Sequence, residues 1–268
     1  MSTDRGCARE HLDTAPRSGP KFVYALPNFQ NPTGVTLSLE RRHALVRLAD
    51  RHGVPILEDD PYGQLRYEGD HLPSLVALDA EYRGLAGAGY SGNVLYLSTF
   101  SKTLAPGLRL GWIVGPVEVI QRLAQAKQGV DLHTSTFVQL VAYEVARCGF
   151  LDGHIRRLRR AHKVRRDALL AAMSSAFPPG VTWTAPAGGL FVWATLPESL
   201  DAADLLQHAL REKVAFAPGG AFFADGSGTN TMRLNFTSAS VERIEEGAVR
   251  LGRSLARVMD AAGIATLE

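Results

Sequence analysis

The chain has 268 residues, of which 46% are hydrophobic and 21% charged, which is the composition of a globular protein with a sizeable core. With 29 basic and 27 acidic residues the net charge is only +2, so nothing in the charge favours a nucleic-acid or membrane partner. Its two cysteines, Cys7 and Cys148, show no paired spacing, which argues against a disulfide framework or a cysteine-based metal site and favours a cytoplasmic location.

The first half of the chain alternates short apolar runs with helical patterns, which predicts a layered α/β domain with a largely parallel sheet. Apolar runs at 22–26, 54–59 and 94–98 are the strand candidates. A helix is predicted from about Ser38, a suitable N-cap, to about residue 52, with Gly53 as the C-cap. The residues between the second and third strands are interpreted as a long loop. A further apolar run at 110–115 follows the third strand without room for a helix, so that pair is predicted to be antiparallel or irregularly connected.

The second half begins with helices predicted at about 117–128 and 135–148, followed by one long helix at about 152–177. The long helix opens with the basic run HIRRLRRAHKVRR, whose apolar spacing favours an amphipathic helix with a solvated cationic face over a nucleic-acid site. Beyond Pro178, short apolar runs and two helical patterns predict a smaller α+β domain. We place the division within the long helix, which gives a large domain at 1–155 and a small domain at 156–268.

Four segments at predicted strand ends carry the unusual polar residues, and the carboxyl ends of parallel strands are where ligands bind. They are NFQNPTG (28–34), EDDPY (58–62), STFSKTLAPGLRLGW (98–112) and MRLNF (232–236). Each has a structural interpretation when taken alone: a turn, a helix cap or solvated loop, and a surface lysine beside hydroxyls. Arg233 stands between apolar neighbours, so it either binds an anion or belongs to a structural ion pair.

Taken together, the order, spacing and strand context of the four segments resemble the fold type I enzymes that depend on pyridoxal 5'-phosphate (PLP). Within them, the chain is similar to the class I/II aminotransferases of the 2-aminoadipate and kynurenine type, from about Phe22 to the last helix. The resemblance implies a three-layer large domain with a mostly parallel sheet, a small α+β domain, and a homodimer. It also implies that the family's N-terminal part, which precedes the segment matching 22–34, is not represented in residues 1–21. The large domain is then expected to be incomplete, with exposed sheet edges.

For the cofactor ring, the resemblance implies that Lys102 forms the Schiff base with PLP. Asp59 pairs with the protonated pyridine nitrogen, while Tyr62 and Asn31 contact the phenolic oxygen of the ring. A carboxylate at that nitrogen keeps it protonated, which makes the ring an electron sink.

For the cofactor phosphate, the resemblance assigns Thr99, Ser101 and Arg109, whose hydroxyls and guanidinium are suitable donors to a dianion. Arg233 binds the substrate α-carboxylate, helped by Asn31, because the planar guanidinium matches a carboxylate in a bidentate way. No metal site is expected.

The implied function is an aminotransferase that moves an amino group between an amino acid and a 2-oxo acid. Two alternatives stay open: the effector-sensing domain of a MocR-type transcription regulator, or an inactive fragment. NPTG and EDDPY favour the enzymes. The aromatic segments GGLFVW (188–193) and FAPGGAFF (216–223) either supply apolar surface for a long or aromatic substrate side chain or form the core of the small domain, which we favour.

Overall fold

The computed structural model describes residues 19–85 and 89–264. These residues fall into two compact units. The large unit comprises the chain up to Asn28 and Val35–Leu158, and the small unit comprises Phe29–Gly34 and the chain from Arg159 onwards. The division into domains at 155/156 stays a prediction.

A four-stranded sheet forms the centre of the large unit. Its strands are β1 (Val23–Ala25), β2 (Ile56–Asp59), β3 (Val94–Thr99) and β4 (Gly111–Val114). The first three strands are parallel neighbours in that order, and β4 pairs antiparallel with β3. Both the mostly parallel sheet and the antiparallel pairing of the fourth apolar run are therefore confirmed.

Five helices accompany this sheet along the chain. They are α1 (Leu39–His52), α2 (Leu75–Tyr82), α3 (Val117–Asp131), α4 (Thr136–Arg147) and α5 (Phe150–Ala176). The predicted caps of α1 are confirmed, because Ser38 Oγ accepts from the Arg41 N–H at 3.4 Å and Gly53 has φ 63°. The interpretation of residues 60–93 as one long loop was wrong, since α2 forms within them.

The core of the large unit lies between α1, α2 and one side of the sheet. It contains Leu45, Val46, Ala49, Ile56, Leu75, Leu78 and Val94. Because side chains alternate along a strand, Ile56 and Glu58 of β2 face this core, while Leu57 and Asp59 lie on the opposite side. The alternation places Glu58 and Asp59, the first two of the three acids in EDDPY, on opposite sides of the sheet, so that they have different surroundings.

The small unit contains a second, antiparallel sheet, two complete helices and the part of α5 from Arg159 onwards. Its elements are β5 (Thr182–Trp183), β6 (Phe191–Thr195), α6 (Ala202–Arg211), β7 (Ala217–Pro218), β8 (Thr231–Asn235) and α7 (Val241–Ala261). The strand order is β5-β6-β8-β7, which confirms the predicted α+β character. Val192, Ala194, Met232 and Leu234 alternate into the buried side of the sheet, so the intervening residues, including Arg233, lie on the other side.

The basic run of α5 is only partly a solvated face. Arg156, Arg157 and Arg160 are exposed, as the amphipathic pattern predicts. Arg166 is buried, however, and its Nη1 donates to the Pro186 carbonyl at 2.6 Å. The predicted solvated cationic face is therefore confirmed for the exposed arginines, while the guanidinium of Arg166, on a buried side of the helix, links the helix to the loop before β6. Within the described ranges, no helix is long and apolar enough to cross a membrane.

Candidate active site

Asp59 is the last residue of β2, on the side of the sheet opposite the helices. Tyr24 Oη donates to Asp59 Oδ2 at 2.5 Å. Partial burial, and then this hydrogen bond to the Asp59 carboxylate, raise the pKa of Tyr24. Sequence analysis missed Tyr24, because only the pairing of the strands reveals the contact: Tyr24 is in register with Leu57, two residues before Asp59, which places both side chains on one face.

Tyr62 is buried at the start of a 3-10 turn, Gly63–Leu65, which follows β2 directly. Asp60 shapes this turn, because its Oδ1 accepts from the Gly63 N–H at 2.9 Å. A Cβ at position 63 would overlap the Asp60 carboxylate, so a larger residue there would displace the carboxylate from this hydrogen bond. This hydrogen bond spans Tyr62 and restrains the backbone around it. Asp60 thereby connects Asp59 and Tyr62, the two residues of this segment that are assigned to the cofactor ring.

A buried guanidinium stands behind this turn. Arg42 of α1 is 0% exposed and its Nη2 donates to Asn28 Oδ1 at 2.6 Å. Asn28 Nδ2 donates in turn to Asp60 Oδ1 at 3.0 Å. Arg42 also donates to three carbonyl oxygens, those of Pro27, Leu37 and Pro73. We call Arg42, Asn28 and Asp60 the buried triad; it connects α1, the segment after β1 and the turn after β2.

Burial lowers the pKa of Arg42 to about 10, against the opposing influence of Glu58 and Asp60. The guanidinium therefore stays cationic at neutral pH. A buried cation is tolerated only when it is hydrogen-bonded and compensated by negative charge, and Arg42 meets both conditions.

Glu58, the first acid of EDDPY, caps a helix. Its two carboxylate oxygens accept from the N–H groups of Leu75 and Val76, the first residues of α2, at 2.8 and 2.9 Å. For this acid the cap interpretation is confirmed. Burial raises the pKa of Glu58 to about 7, because its effect is larger than that of these two hydrogen bonds, which lower the pKa.

The raised pKa of Glu58 should be detectable in the free energy of unfolding measured as a function of pH. Because its folded pKa is raised, the folded state holds the proton more tightly than the unfolded chain, whose carboxyl titrates near 4.5. The contribution of Glu58 to the free energy of unfolding should therefore decrease as pH rises from about 4.5 to 7, by about 3 kcal/mol in total. We expect the stability difference between the native chain and Glu58→Gln to shift by most of this amount, against the native chain, between pH 5 and 8.

Subtracting the variant is necessary because His162 acts in the opposite direction. Burial, followed by the charge of Arg165, lowers the pKa of His162 to about 4, so its contribution to stability increases from pH 4 to 6.5. This contribution is common to both chains and cancels in the difference. A difference that stays constant from pH 5 to 8 would show that Glu58 titrates normally in the fold.

Lys102 lies in the turn that follows β3. The N–H groups of Thr103, Leu104 and Ala105 all donate to the Phe100 carbonyl, which closes the turn around the lysine. The Lys102 side chain is exposed, and no described residue forms a hydrogen bond or an ion pair with its amine. The amine is thus available for reaction.

Hydroxyl groups flank Lys102 at the carboxyl end of β3. Thr99 Oγ1 lies 2.9 Å from Ser101 Oγ, accepts from the Ser101 N–H at 3.0 Å, and donates to the Leu110 carbonyl at 2.7 Å. Arg109, at the end of the 3-10 turn Pro106–Leu108, has φ 53°, a left-handed conformation that is uncommon outside glycine and clusters at functional sites. Its Nη1 donates to the Pro106 carbonyl at 3.1 Å.

The donor set of the large unit fits PLP. PLP presents an aldehyde, a pyridine nitrogen and a phosphate. The carboxyl-end edge of β2 and β3 carries an amine, a carboxylate, two hydroxyls and a guanidinium, which are the partners these groups require. Asp59, Tyr62, Thr99, Ser101, Lys102 and Arg109 all belong to this unit.

The two residues assigned to the substrate carboxylate meet in the small unit. Arg233 Nη1 donates to Asn31 Oδ1 at 2.6 Å, and the Asn31–Pro32 peptide bond is cis. Arg233 lies in the central part of the sheet, on β8, opposite Trp193 of β6 and Ala217 of β7. It has no ion-pair partner in the described part of the chain, so the alternative of a structural ion pair finds no support there.

The aromatic segments of the small unit divide into two groups. Phe191 and Trp193 are each 8% exposed and belong to the core, as favoured from the sequence. Phe222 and Phe223 are 38% and 40% exposed. The core interpretation is therefore wrong for this second pair, whose rings are partly open to solvent.

Comparison with known proteins agrees with this geometry. The profile of the family described as aminotransferase class I and II matches residues 2–251. The chain belongs to this family. It is 47% identical, over 89% of its length, to aromatic-amino-acid aminotransferase 1 of Thermococcus litoralis. It also superimposes, with a TM-score of 0.85, 40% identity and 93% of the chain covered, on the α-aminoadipate aminotransferase of Thermus thermophilus, solved with N-(5'-phosphopyridoxyl)-L-leucine.

The chain is also similar to regulators. An HTH-type transcriptional regulator of Bacillus subtilis strain 168, YisV, is 36% identical over 90% of this chain. The chain spans about half the length of the curated relatives it matches, 55% of the Thermococcus enzyme and 47% of the regulator, and 63% of the Thermus structure.

Proposed function

We propose that this class I/II aminotransferase-family protein is a PLP-dependent transaminase that moves an amino group between an amino acid and a 2-oxo acid. The observation that carries the proposal is that Lys102 and Asp59 lie in the same unit, at the carboxyl ends of two adjacent strands. An amine without a partner among the described residues follows β3, and a carboxylate ends the adjacent parallel strand β2. Amine and carboxylate at neighbouring strand ends match the aldehyde and the pyridine nitrogen of PLP.

When bound, PLP supplies an electron sink that stabilises negative charge at the substrate Cα. Asp59 would keep the pyridine nitrogen protonated, and Tyr62 would contact the ring oxygen. Thr99, Ser101 and Arg109 would bind the phosphate as charge-assisted donors. These residues hold the cofactor, while the proton transfer is the task of Lys102.

The Lys102 amine would act as the acid–base group of the reaction. An amine removes a proton only when it is neutral, and nearby positive charge favours that form. Lys102 would take the proton from the substrate Cα and deliver it to the C4′ carbon of the cofactor. The turn closed on the Phe100 carbonyl holds the lysine backbone during this transfer.

Arg233 and Asn31 would bind the α-carboxylate that every amino acid and 2-oxo acid carries. Their 2.6 Å hydrogen bond uses one guanidinium nitrogen and orients the rest of the group.

A homodimer is part of the proposal, supported by large exposed apolar side chains on β4, α3 and α4, since such patches mark interfaces. They include Trp112, Val117, Val130, Phe137, Leu140 and Tyr143. A cytoplasmic location is also proposed, because the sequence has only two cysteines and they show no paired spacing.

A spectroscopic half-reaction tests the proposal. PLP is added to the purified chain, its absorbance is recorded, and amino acids are then added one at a time without an oxo acid. A transaminase should bind PLP, and its absorbance band should convert to that of the amine form with at least one amino acid. Binding without conversion by any amino acid would favour the effector-sensing regulator, and no binding would favour the inactive fragment.

A further inference from the structure

Two aromatic rings contact the guanidinium of Arg233. Its Cζ lies 4.3 Å from the centroid of Phe191 and 5.0 Å from that of Phe222. The two rings differ in exposure, since Phe191 belongs to the core and Phe222 is 38% exposed. Phe222 therefore contacts the guanidinium while part of its ring stays open to solvent.

The backbone holds Phe222 in place. Phe222 ends the 3-10 turn Gly219–Phe222, which follows β7 directly. Gly219 packs so closely on Thr231 of β8 that a Cβ at position 219 would overlap the threonine hydroxyl. The Phe222 ring also meets Trp193 of β6 edge-on, with centroids 5.8 Å apart. The position of the ring is thus determined by the two central strands of the small sheet.

Stacking and carboxylate binding use different parts of a guanidinium. Aromatic rings interact with its faces, whereas its N–H donors lie in its plane. Arg233 Nη1 already donates a hydrogen bond to Asn31 Oδ1. Among the described residues, Nε and Nη2 of Arg233 donate to no acceptor, so the in-plane donors that remain are suited to a carboxylate.

We infer that Phe222 is a positioning residue for the substrate carboxylate. Its ring holds the guanidinium plane, keeps water from the cation, and presents Nε and Nη2 to the incoming carboxylate. The inference rests on the proposed function of Arg233. Since every substrate carries the α-carboxylate, Phe222 should affect all amino acids and 2-oxo acids to a similar degree. The effect should appear in KM and leave kcat nearly unchanged, because the interaction is equal in the bound substrate and in the transition state.

Adjacent phenylalanines supply a matched control. Phe223 has nearly the same exposure and contacts Trp193 with centroids 6.4 Å apart, but it makes no cation–π contact with Arg233. The comparison is therefore Phe222→Leu against Phe223→Leu, with Phe222→Tyr as the conservative variant that keeps a ring. The probe is isobutyrate, a carboxylate without an amino group, which cannot react with PLP.

Binding is followed through the Nε–H resonance of Arg233 in the full chain labelled with ¹⁵N-arginine, assigned by its loss in Arg233→Lys. We expect Phe222→Leu to move this resonance and to weaken isobutyrate binding about 5- to 30-fold. Phe222→Tyr should restore binding, and Phe223→Leu should retain it. With substrates, Phe222→Leu should raise KM by the same factor.

Equal losses in Phe222→Leu and Phe223→Leu, or no loss in either, would overturn the inference, as would a fall in kcat at constant KM. A separate result concerns the proposed function and is measured by calorimetric titration, which does not need the Arg233 resonance: if Arg233→Lys binds isobutyrate as well as the native chain, Arg233 is not the carboxylate site. The binding of isobutyrate by the native chain and by Arg233→Lys thus separates failure of the inference from failure of the function.

Discussion

Replacing Lys102 by alanine should abolish covalent attachment of PLP and lower the rate of transamination by about 10²–10⁴-fold or more. The variant loses the only amine in the turn that follows β3, and with it both the bond to the cofactor and the proton transfer. Because the Lys102 side chain is exposed and makes no hydrogen bond with a described residue, its removal should leave the fold intact.

Borohydride reduction followed by mass spectrometry measures the attachment independently of activity. The native chain should gain one phosphopyridoxyl group on the peptide containing Lys102. Lys127→Ala is the matched control, since Lys127 is an exposed lysine of α3 whose amine, among the described residues, forms an ion pair with Asp131 alone. Retention of the group by Lys102→Ala, or its loss from Lys127→Ala, would contradict the assignment of Lys102.

Replacing Arg42 by methionine should lower the free energy of unfolding by about 3–5 kcal/mol, since removing one partner leaves the rest of a buried charge network uncompensated. Asn28 and three carbonyl oxygens would lose their donor. Methionine fills much of the arginine volume, so the loss reports the hydrogen bonds and the charge more than a cavity.

Denaturant unfolding of the chain measures this loss, with Arg47→Met as the control. Arg47 lies on the same helix, α1, but is exposed, and its replacement should change stability by no more than about 0.5 kcal/mol. Equal effects of the two substitutions would mean that the buried triad contributes nothing beyond an ordinary surface arginine. A selective loss in Arg42→Met would establish that the triad stabilises the segments on either side of the candidate site.

Elements with local signals could be predicted from the sequence. The helix α1 has its N-cap Ser38 and C-cap Gly53 next to it in the chain, and alternation along residues 231–235 separates buried Met232 and Leu234 from Arg233. The helix α2 was missed because it has only eight residues, and part of its N-terminal capping comes from Glu58, 17 residues earlier. A non-local cap leaves no pattern in the local sequence.

The chemistry of the candidate site was also accessible from the sequence, because amine, carboxylate, hydroxyls and guanidinium stand at fixed spacings in four motifs. What those motifs lack is information about distant partners. The contact of Asn31 with Arg233 joins residues 202 positions apart, and Tyr24 approaches Asp59 from another strand. Nothing in the local sequence distinguishes Arg42 from an ordinary helix arginine. Only the structure shows that carbonyl oxygens surround its guanidinium.

The pair Phe222 and Phe223 shows the limit of what can be predicted from the sequence. Two identical residues stand side by side, and composition, periodicity and motif treat them alike. The sequence by itself determined the family, the strand and helix pattern, and the residue types available for chemistry, since these depend on local spacing. Only the tertiary structure decided which phenylalanine contacts Arg233, because the packing of Gly219 on Thr231 orients the turn and brings one ring, and not the other, to the guanidinium.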